Sequence, residues 1–184
     1  MDNLTFVIAC IYFYLPAAMA NIGANLGKFI PIFRDIKQPI DFNLKIDGVR
    51  IVGDHKNIGS FLFGVLFGTF WGIIKTIYLD SYTGKYLLLN ENAYKLIFLY
   101  FLMSVAALGG DLIKSVAKRL LKRPPHSPWI PFDEIDHSLA SMLIATLFFS
   151  VSWSAFFFII FIFLFLHLIT NVIGYLIKVK EVPY

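Results

Sequence analysis

Residues 93–121 read AYKLIFLYFLMSVAALGGDLIKSVAKRLL, an apolar run that passes directly into a charged segment. The first part, 93–113, is long enough to cross the hydrocarbon core of a bilayer, which takes roughly 20 apolar residues in a helix. Asp111, Lys114 and Lys118 follow at once. The stretch therefore predicts a membrane-spanning helix whose end carries charged side chains to the border of the bilayer.

The composition of the whole chain also indicates a membrane protein. Of the 184 residues, 58% are hydrophobic and 20 are phenylalanine, and the mean hydropathy is +0.73. A soluble domain is usually about half apolar, so the excess indicates a lipid-facing surface. The single cysteine, Cys10, excludes a disulfide within the chain, and we expect it to pack as a small residue in the first apolar run.

Further apolar segments complete the predicted bundle. Segment 4–24 is preceded by Asp2 and by no Lys or Arg, so we predict a retained membrane helix and not a cleaved signal peptide, which needs a basic start. The stretch 138–177 is too long for one crossing at about 1.5 Å per residue, and we divide it near 150–154. The sequence thus predicts one all-α membrane domain over residues 1–184 with five crossings, four being the alternative. The predicted spans are 4–24, 58–79, 93–113, 138–153 and 155–177.

The basic residues indicate on which side of the membrane each loop lies. Loop 25–57 has six Lys and Arg, loop 114–137 has five, and the C-terminal tail has Lys178 and Lys180, whereas three flank the loop at 80–92. Because positively charged loops remain in the cytoplasm, we expect both long loops and the C-terminus there and the N-terminus outside. Some of these cations would serve only topology or contact with anionic lipid.

The charged segment at the end of the 93–113 run places several groups on one helical face. Asp111, Lys114 and Lys118 are spaced i, i+3 and i+7, with Ser115 and Arg119 beside them. One interpretation is an ion pair that eases an acid at the membrane border. The cations exceed what one aspartate can use, however, and surplus cations beside a carboxylate suit a site for phosphate and metal.

The segment PFDEIDH (131–137) supplies more acids. If Pro131 begins a helix, Asp133 and Asp136 lie three apart on one face. The positive end of the helix dipole favours acids there, which accounts for Glu134 and would account for either aspartate. Two carboxylates with Asp111 nearby also make the oxygen-rich environment that Mg²⁺ prefers.

The histidines are weaker candidates for metal ligands. His137 follows the acidic segment, His126 lies in a proline-flanked loop, and His167 lies within the last predicted helix. We expect none of them to bind a metal.

The first long loop predicts a small β-hairpin. In FNLKIDGVRIV (42–52), hydrophobic residues alternate on both sides of the Asp-Gly pair that begins at Asp47, and this pair favours a tight turn. A hairpin that presents Arg50, Asp54 and Lys56 beside the next helix would cover a nucleotide. An ordinary structured loop fits the same spacing equally well.

Two further features concern helix packing. Pro16 loosens the backbone bonding of the first helix, and Asn21 and Asn25 near its end suit either a bond between helices or a ligand. In the second helix, small residues recur at every fourth position, which predicts a seam of close packing. These residues are Ser60, Gly64, Gly68 and Gly72.

Three blocks of sequence together resemble the archaeal CDP-archaeol synthase family, a short relative of the bacterial CDP-diacylglycerol synthases. The blocks are LPAAMAN (15–21), IDGVRIVGDHKNIG (46–59), and GGDLIKSVAKR with IPFDEIDH (109–137). The resemblance implies a membrane cytidylyltransferase that joins CTP to an unsaturated ether-linked lipid phosphate, 2,3-bis-geranylgeranylglyceryl phosphate. The products would be CDP-archaeol and pyrophosphate, and Mg²⁺ would be required. The implied partners are CTP, the lipid phosphate and the bilayer, with no nucleic acid.

With this resemblance, the candidate residues fall into groups. We expect the metal to be held by Asp111, Asp133 and Asp136. The other members of the catalytic set, expected to bind the lipid phosphate and the pyrophosphate, are Lys114, Lys118 and Arg119. The expected substrate-binding residues are Asn21, Asp47, Arg50, Asp54 and Lys56. No general base is expected, because a phosphate monoester near neutral pH is already largely deprotonated.

The sequence departs from the family pattern at one place and leaves other functions open. Asn57 and Ile58 stand where family members usually have Thr and Arg. The alternatives are a CDP-diacylglycerol synthase acting on phosphatidic acid, a lipid phosphatase, a phospho-alcohol transferase and a transporter. A transporter would place ionisable residues within the membrane along a path, and in this sequence only Lys75 and His167 come near such a depth.

Overall fold

The apolar run at 93–113 and the charged segment after it form a single helix, Ala93–Leu120 (α4). The side chain of Asn92 caps its N-terminus by accepting a hydrogen bond of 3.0 Å from the backbone N–H of Lys95. Because the helix continues past the end of the apolar run, its charged side chains and its apolar ones belong to one continuous helix.

The structure, a computed structural model, describes residues 3–53, 56–87, 92–124, 127–149 and 151–178. The other helices are α1 (Asn3–Leu26), α2 (Pro31–Arg34), α3 (Ile58–Leu87), α5 (Phe132–Phe149) and α6 (Trp153–Leu176). A 3₁₀ turn, Gly27–Phe29, follows α1, and two short strands, β1 (Lys45–Ile46) and β2 (Val49–Arg50), lie in the first long loop.

The predicted fold class, an all-helical membrane protein with a small hairpin in its first loop, is confirmed. Within the described residues, four segments are long and apolar enough to cross a membrane, and they are Asn3–Phe29, Ile58–Tyr78, Ala93–Leu120 and Trp153–Ile173. The predicted span 138–153 corresponds to α5, which has 18 residues, is about 27 Å long and is not among these four segments. It begins at Phe132 and not at 138, because the acidic segment is itself helical.

The core lies where α1 meets the other long helices. Phe13 and Tyr14 of α1, Tyr100 and Met103 of α4, and Met142 of α5 are all fully buried there. Lipid is as apolar as these side chains, so close packing between helices, and not removal from water, favours their association.

The small-residue face of α3 allows α1 and α4 to approach closely, as the spacing predicts. A Cβ atom on Gly68 would lie 2.6 Å from the carbonyl oxygen of Pro16, and one on Gly72 would lie 2.6 Å from Cβ of Tyr100. Such distances leave no room for a side chain. The glycines therefore set the spacing of the three helices that surround the candidate site.

Lys75 lies in the membrane-spanning part of α3 and is almost completely buried, with 1% of its surface exposed. Its ammonium group donates a hydrogen bond to the hydroxyl of Tyr100 and lies 4.0 Å from the centre of that ring and 4.9 Å from that of Tyr12. Aromatic faces stabilise a cation in this position. Lys75 thus joins α3 to α1 and α4 inside the bundle.

The predicted hairpin is present. Strands β1 and β2 pair antiparallel, and the turn between them has φ of 51° at Asp47 and 81° at Gly48. Two successive positive φ angles are those of a type I′ turn, for which the Asp-Gly pair is well suited.

We predict that Gly68→Ala destabilises the protein in detergent, because the added methyl group would meet the backbone of α1. Overpacking of this kind costs about 1–3 kcal/mol, which thermal unfolding followed by circular dichroism would measure as a lower melting temperature. The matched control is Gly109→Ala in α4, where an added Cβ would meet no atom of the described residues within 4 Å. Equal melting temperatures for the two variants would contradict the packing seam.

Candidate active site

The charged ends of α4 and α5 meet around one ammonium group. Nζ of Lys114 lies 2.7 Å from Oδ2 of Asp136, 3.1 Å from Oδ1 of Asp111 and 3.2 Å from Oδ1 of Asp133. Asp111 belongs to α4 and the other two aspartates to the start of α5, so these ion pairs join the two helices. The three carboxylates that the sequence groups together thus lie together, and a lysine stands where they converge.

Asp133 is also held by Lys118 and by the loop before α5. Nζ of Lys118 lies 2.7 Å from Oδ1 of Asp133 and donates a hydrogen bond of 2.9 Å to the carbonyl of Ser127. The backbone N–H of Trp129 donates to Oδ2 of Asp133 at 2.6 Å. Burial alone would raise the pKa of Asp133, but the hydrogen bond from Lys118 and the charge of Lys114 outweigh it, so its pKa lies below the usual value.

Asp136 divides its two oxygens between two partners. Oδ2 faces Lys114, whereas Oδ1 accepts hydrogen bonds from the backbone N–H of His137 at 2.7 Å and from its ring Nδ1 at 3.1 Å. Burial opposes ionisation of Asp136, but the bond from His137 and the charge of Lys114 outweigh it and lower its pKa to about 2. Asp136 is therefore ionised at neutral pH.

Lys56 connects the first long loop to the same site. Its Nζ lies 2.7 Å from Oδ2 of Asp111 and donates hydrogen bonds to Oγ of Ser115 at 2.6 Å and to the carbonyl of Asp111 at 3.0 Å. Burial lowers the pKa of Lys56, and the nearby Asp111 only partly offsets this. We call the whole group the carboxylate–lysine cluster, and its members are Lys56, Asp111, Lys114, Lys118, Asp133 and Asp136.

The cluster has the donor groups for a divalent cation but is filled by an ammonium. In the part of the chain that the structure describes, no three His, Cys, Asp or Glu side chains are arranged to hold a metal ion directly. The reason is visible in the geometry, since Lys114 occupies the point on which the carboxylates converge. The three carboxylates and three lysines also neutralise each other's charge. A metal ion could bind the carboxylates only if Lys114 paired with another anion.

A polar cavity of about 540 Å³ adjoins the cluster, between α1, α3, α4 and the first loop. Its volume is within the range of roughly 300–1,000 Å³ that is typical of small-molecule sites. Asn21 of the predicted set lines it, together with Lys56 and Asp111 of the cluster. The other polar residues that line it are Asn25, Lys28, Asn57 and Ser60.

An apolar groove of about 270 Å³ lies on the other side of the cluster, between α4 and α5. Lys114 and Asp136 form its polar end. Its apolar lining comes from both helices and the loop between them, namely Ile113, Ala117, Trp129, Phe132, Ile135, Leu139, Ala140 and Leu143. The cluster thus separates a polar space from an apolar one.

Three of the predicted residues lie away from this meeting point. Asp47 is exposed at the hairpin tip, and neither it nor Arg50 is among the described residues that line the polar cavity. The guanidinium of Arg119 donates to the carbonyl of Arg123 at 2.9 Å and so faces the loop before α5. Asp54, like His126, lies outside the described residues.

Asp41 organises the first loop and was not identified from the sequence. Its carboxylate accepts a hydrogen bond of 2.7 Å from Nη2 of Arg50 and bonds of 3.2 Å from the backbone N–H groups of Asn43 and Val52. Burial would raise the pKa of Asp41, but the bond from Arg50 and the backbone bonds outweigh it, so its pKa lies below the usual value. Arg50 therefore supports the hairpin through its ion pair with Asp41.

The fold and the site together define a multi-pass membrane protein with a charged site between a polar cavity and an apolar groove. A model of the family described as CarS-like, CDP-archaeol synthase, matches residues 3–184. The chain belongs to the CDP-archaeol synthase family.

Individual relatives agree with this membership. The chain is 35% identical over 179 residues to the CDP-archaeol synthase of Pyrobaculum islandicum, covering 95% of this chain and 98% of that protein. It is 32% identical over 187 residues to the CDP-archaeol synthase of Sulfurisphaera tokodaii, with both chains fully covered. A solved structure of an intramembrane enzyme for archaeal membrane lipids biosynthesis superposes with a TM-score of 0.68 at 23% identity, covering 88% of this chain and 92% of that one. At this identity the likeness of structures shows the fold.

We predict that Asp41→Asn loosens the first loop, because the neutral amide cannot match the ion pair with Arg50. Limited proteolysis should cut the loop faster than in the wild type. The pKa of Asp41 is lowered in the fold, so the difference between the proteins should be complete above the ordinary pKa of 3.8 and should disappear as the pH falls through the lowered value.

The control for this experiment is Asp35→Asn, which changes an exposed carboxylate in the same loop. Exposed ion pairs contribute little to stability, so this variant should be cut at the wild-type rate. Equal cleavage of the two variants would contradict the role given to Asp41.

Proposed function

We propose that this chain is a CDP-archaeol synthase, which joins CTP to an unsaturated ether-linked lipid phosphate and releases CDP-archaeol and pyrophosphate. Membership of the family and the names of the relatives support this reaction. The structural observation that carries the proposal is the position of the carboxylate–lysine cluster, between a polar cavity and an apolar groove. A transferase that joins a nucleotide to a lipid needs a site with these two sides.

The polar cavity is the proposed place of CTP. Its lining combines amide groups, such as Asn21, with the ammonium groups of Lys28 and Lys56. Amides suit the hydrogen-bonding edge of a base or the hydroxyl groups of a ribose, and ammonium groups suit a triphosphate. Because Asp111 both lines the cavity and belongs to the cluster, the triphosphate end of CTP in this cavity would lie next to the cluster.

The apolar groove is the proposed place for the part of the lipid next to its phosphate. Lys114 lies at the polar end of the groove and also at the centre of the cluster. A lipid whose chain follows the groove would therefore bring its phosphate to the ammonium group that the carboxylates share. Lys118 and Arg119, four and five residues after Lys114 on the same helix, are the further candidates for phosphate contact.

The transfer itself requires positioning and neutralisation of charge. An oxygen of the lipid phosphate forms a bond to the α-phosphorus of CTP, and the bond from that phosphorus to the departing pyrophosphate breaks. Both reactants are anions, so the lysines lower the repulsion between them and hold them in line. The attacking phosphate needs no general base, because it is already largely deprotonated near neutral pH.

We assign Mg²⁺ binding in the proposed reaction to Asp111, Asp133 and Asp136, whose carboxylates meet around Lys114 and would supply the oxygen ligands that this ion prefers once the lysine pairs with another anion. When bound, Mg²⁺ would neutralise charge on the triphosphate oxygens. An arriving triphosphate would offer Lys114 phosphate oxygens in place of its carboxylate partners. This exchange would free the carboxylates for the metal without leaving any charge unpaired.

The site faces the cytoplasm in this proposal. The cluster joins the loops at 25–57 and 114–137, which carry 11 of the 16 Lys and Arg residues. Such loops remain on the cytoplasmic side, where CTP is available. The protein would thus act as a multi-pass enzyme of the cell membrane.

The proposed reaction is tested by incubating the detergent-purified protein with CTP, Mg²⁺ and either an ether-linked or an ester-linked lipid phosphate. Pyrophosphate release and formation of the CDP-lipid are measured, and we expect both, more rapidly with the ether lipid. A preference for the ester lipid would indicate a CDP-diacylglycerol synthase. Release of inorganic phosphate from the lipid without any need for CTP would indicate a phosphatase and contradict the proposal.

We predict that Asp111→Asn and Asp136→Asn each reduce turnover by at least about 100-fold while the protein stays folded, since each removes one charge from the proposed metal site. Pyrophosphate release by the purified variants measures turnover, and the melting temperature measures folding. Asp35→Asn, an exposed carboxylate away from the cluster, is the control and should turn over normally. Near-normal release by either cluster variant would remove the metal assignment.

A further inference from the structure

One carboxylate oxygen of Asp136 is hydrogen-bonded to His137, and the other belongs to the carboxylate–lysine cluster. Its Oδ2 lies 2.7 Å from Nζ of Lys114, whereas its Oδ1 accepts both a backbone and a ring hydrogen bond from His137. A carboxylate that accepts two hydrogen bonds at one oxygen cannot rotate freely about its Cβ–Cγ bond. The direction of Oδ2 therefore depends on what holds Oδ1.

The ring of His137 supplies a donor that the backbone alone does not. An ionised carboxylate only accepts hydrogen bonds, so the proton of the bond between Nδ1 and Oδ1, 3.1 Å long, belongs to Nδ1. The backbone N–H of the same residue leaves the carboxylate free to pivot about a single bond. The two bonds together fix its plane.

The surroundings of His137 hold its ring in place. The residue is 6% exposed, and its ring centre lies 6.2 Å from that of Tyr14 on α1 and 5.6 Å from that of His167 on α6. His167 and Asn171 lie one turn apart on a helix that is otherwise almost entirely apolar, and Asn171 is 3% exposed. His137 is thus packed between rings from α1 and α6, which restricts its rotation.

We propose that His137 is a positioning residue for the transfer reaction, which holds the carboxylate of Asp136 so that Oδ2 points into the carboxylate–lysine cluster. The proposal rests on the proposed function, since that function assigns Asp136 to the proposed Mg²⁺ site. His137 is not among the described residues that line the polar cavity or the apolar groove. Partners of this kind, which orient a metal-binding carboxylate, change metal affinity or activity by about 10–100-fold when they are removed.

The experiment compares a substitution that removes the side-chain hydrogen bond to Oδ1 of Asp136 with one that keeps a donor there. His137→Phe keeps an aromatic ring between Tyr14 and His167 but has no donor, whereas His137→Asn places an amide N–H close to the position of Nδ1. We expect the phenylalanine variant to lose 10–100-fold in kcat and to need more Mg²⁺ for half its maximal rate, with the KM for the lipid phosphate within about twofold of wild type. The asparagine variant should recover most of the loss.

A second measurement does not depend on turnover. Mn²⁺ in the presence of CTP is titrated into the detergent-purified proteins, and the free ion is followed by electron paramagnetic resonance. We expect weaker binding by His137→Phe and nearly wild-type binding by His137→Asn. If the phenylalanine variant does not fold, His137→Gln replaces it, because the longer side chain carries its amide past Oδ1.

The matched control is His167→Phe, which alters the neighbouring histidine of the same buried group and keeps its ring contact with His137. We expect this variant to bind Mn²⁺ as the wild type does. Equal losses in His167→Phe and His137→Phe, or an asparagine variant as defective as the phenylalanine one, would overturn the proposal. If the wild type makes no CDP-lipid, the proposed function fails, and the Mn²⁺ titration still decides whether His137 orients Asp136.

Discussion

The ammonium group of Lys114 is the point on which the arrangement of this protein depends. It bonds to carboxylates from both α4 and α5, and 15% of its side chain is exposed. At the border of a bilayer an unpaired charge is costly, so neither the lysine nor the aspartates would be stable there alone. Because the lysine and the aspartates are stable there only as pairs, the acidic first turns of α5 must contact α4. This contact determines where α5 begins.

This dependence explains why the site stands on helices and not on loops. Helix α4 carries Tyr100, which contacts Lys75 deep in the bundle, and also Lys114 at the charged end, with no break between them. The glycine seam of α3 and the buried side chains of α1 hold α4 from two sides. Catalytic groups on such rigid elements keep their geometry better than groups on loops, and a transfer between two anions depends on that geometry.

The sequence predicts correctly those features whose signal is local. The i, i+3, i+7 spacing placed Asp111, Lys114 and Lys118 on one face, and the Asp-Gly pair placed the turn at Asp47. It did not identify Asp41, since the positive φ angles of Phe42 and Asn43 that turn Asp41 toward Arg50 leave no regular pattern. Nor did it find the bond from His137 to Asp136, because a histidine at a membrane border has no periodicity that reveals its partner.

The charge balance of the carboxylate–lysine cluster bears on which ligands the proposed site would accept. Three carboxylates face three lysines, so the cluster as a whole attracts neither a lone metal ion nor a lone phosphate strongly. A metal with its triphosphate offers both partners at once, anionic oxygens for Lys114 and a cation for the aspartates. A cluster with no net charge would therefore bind CTP together with its metal ion more tightly than it would bind CTP alone or the metal ion alone. When no nucleotide is bound, the lysine and the aspartates would form ion pairs with each other. This pairing avoids unpaired charge at the membrane border, where it is costly.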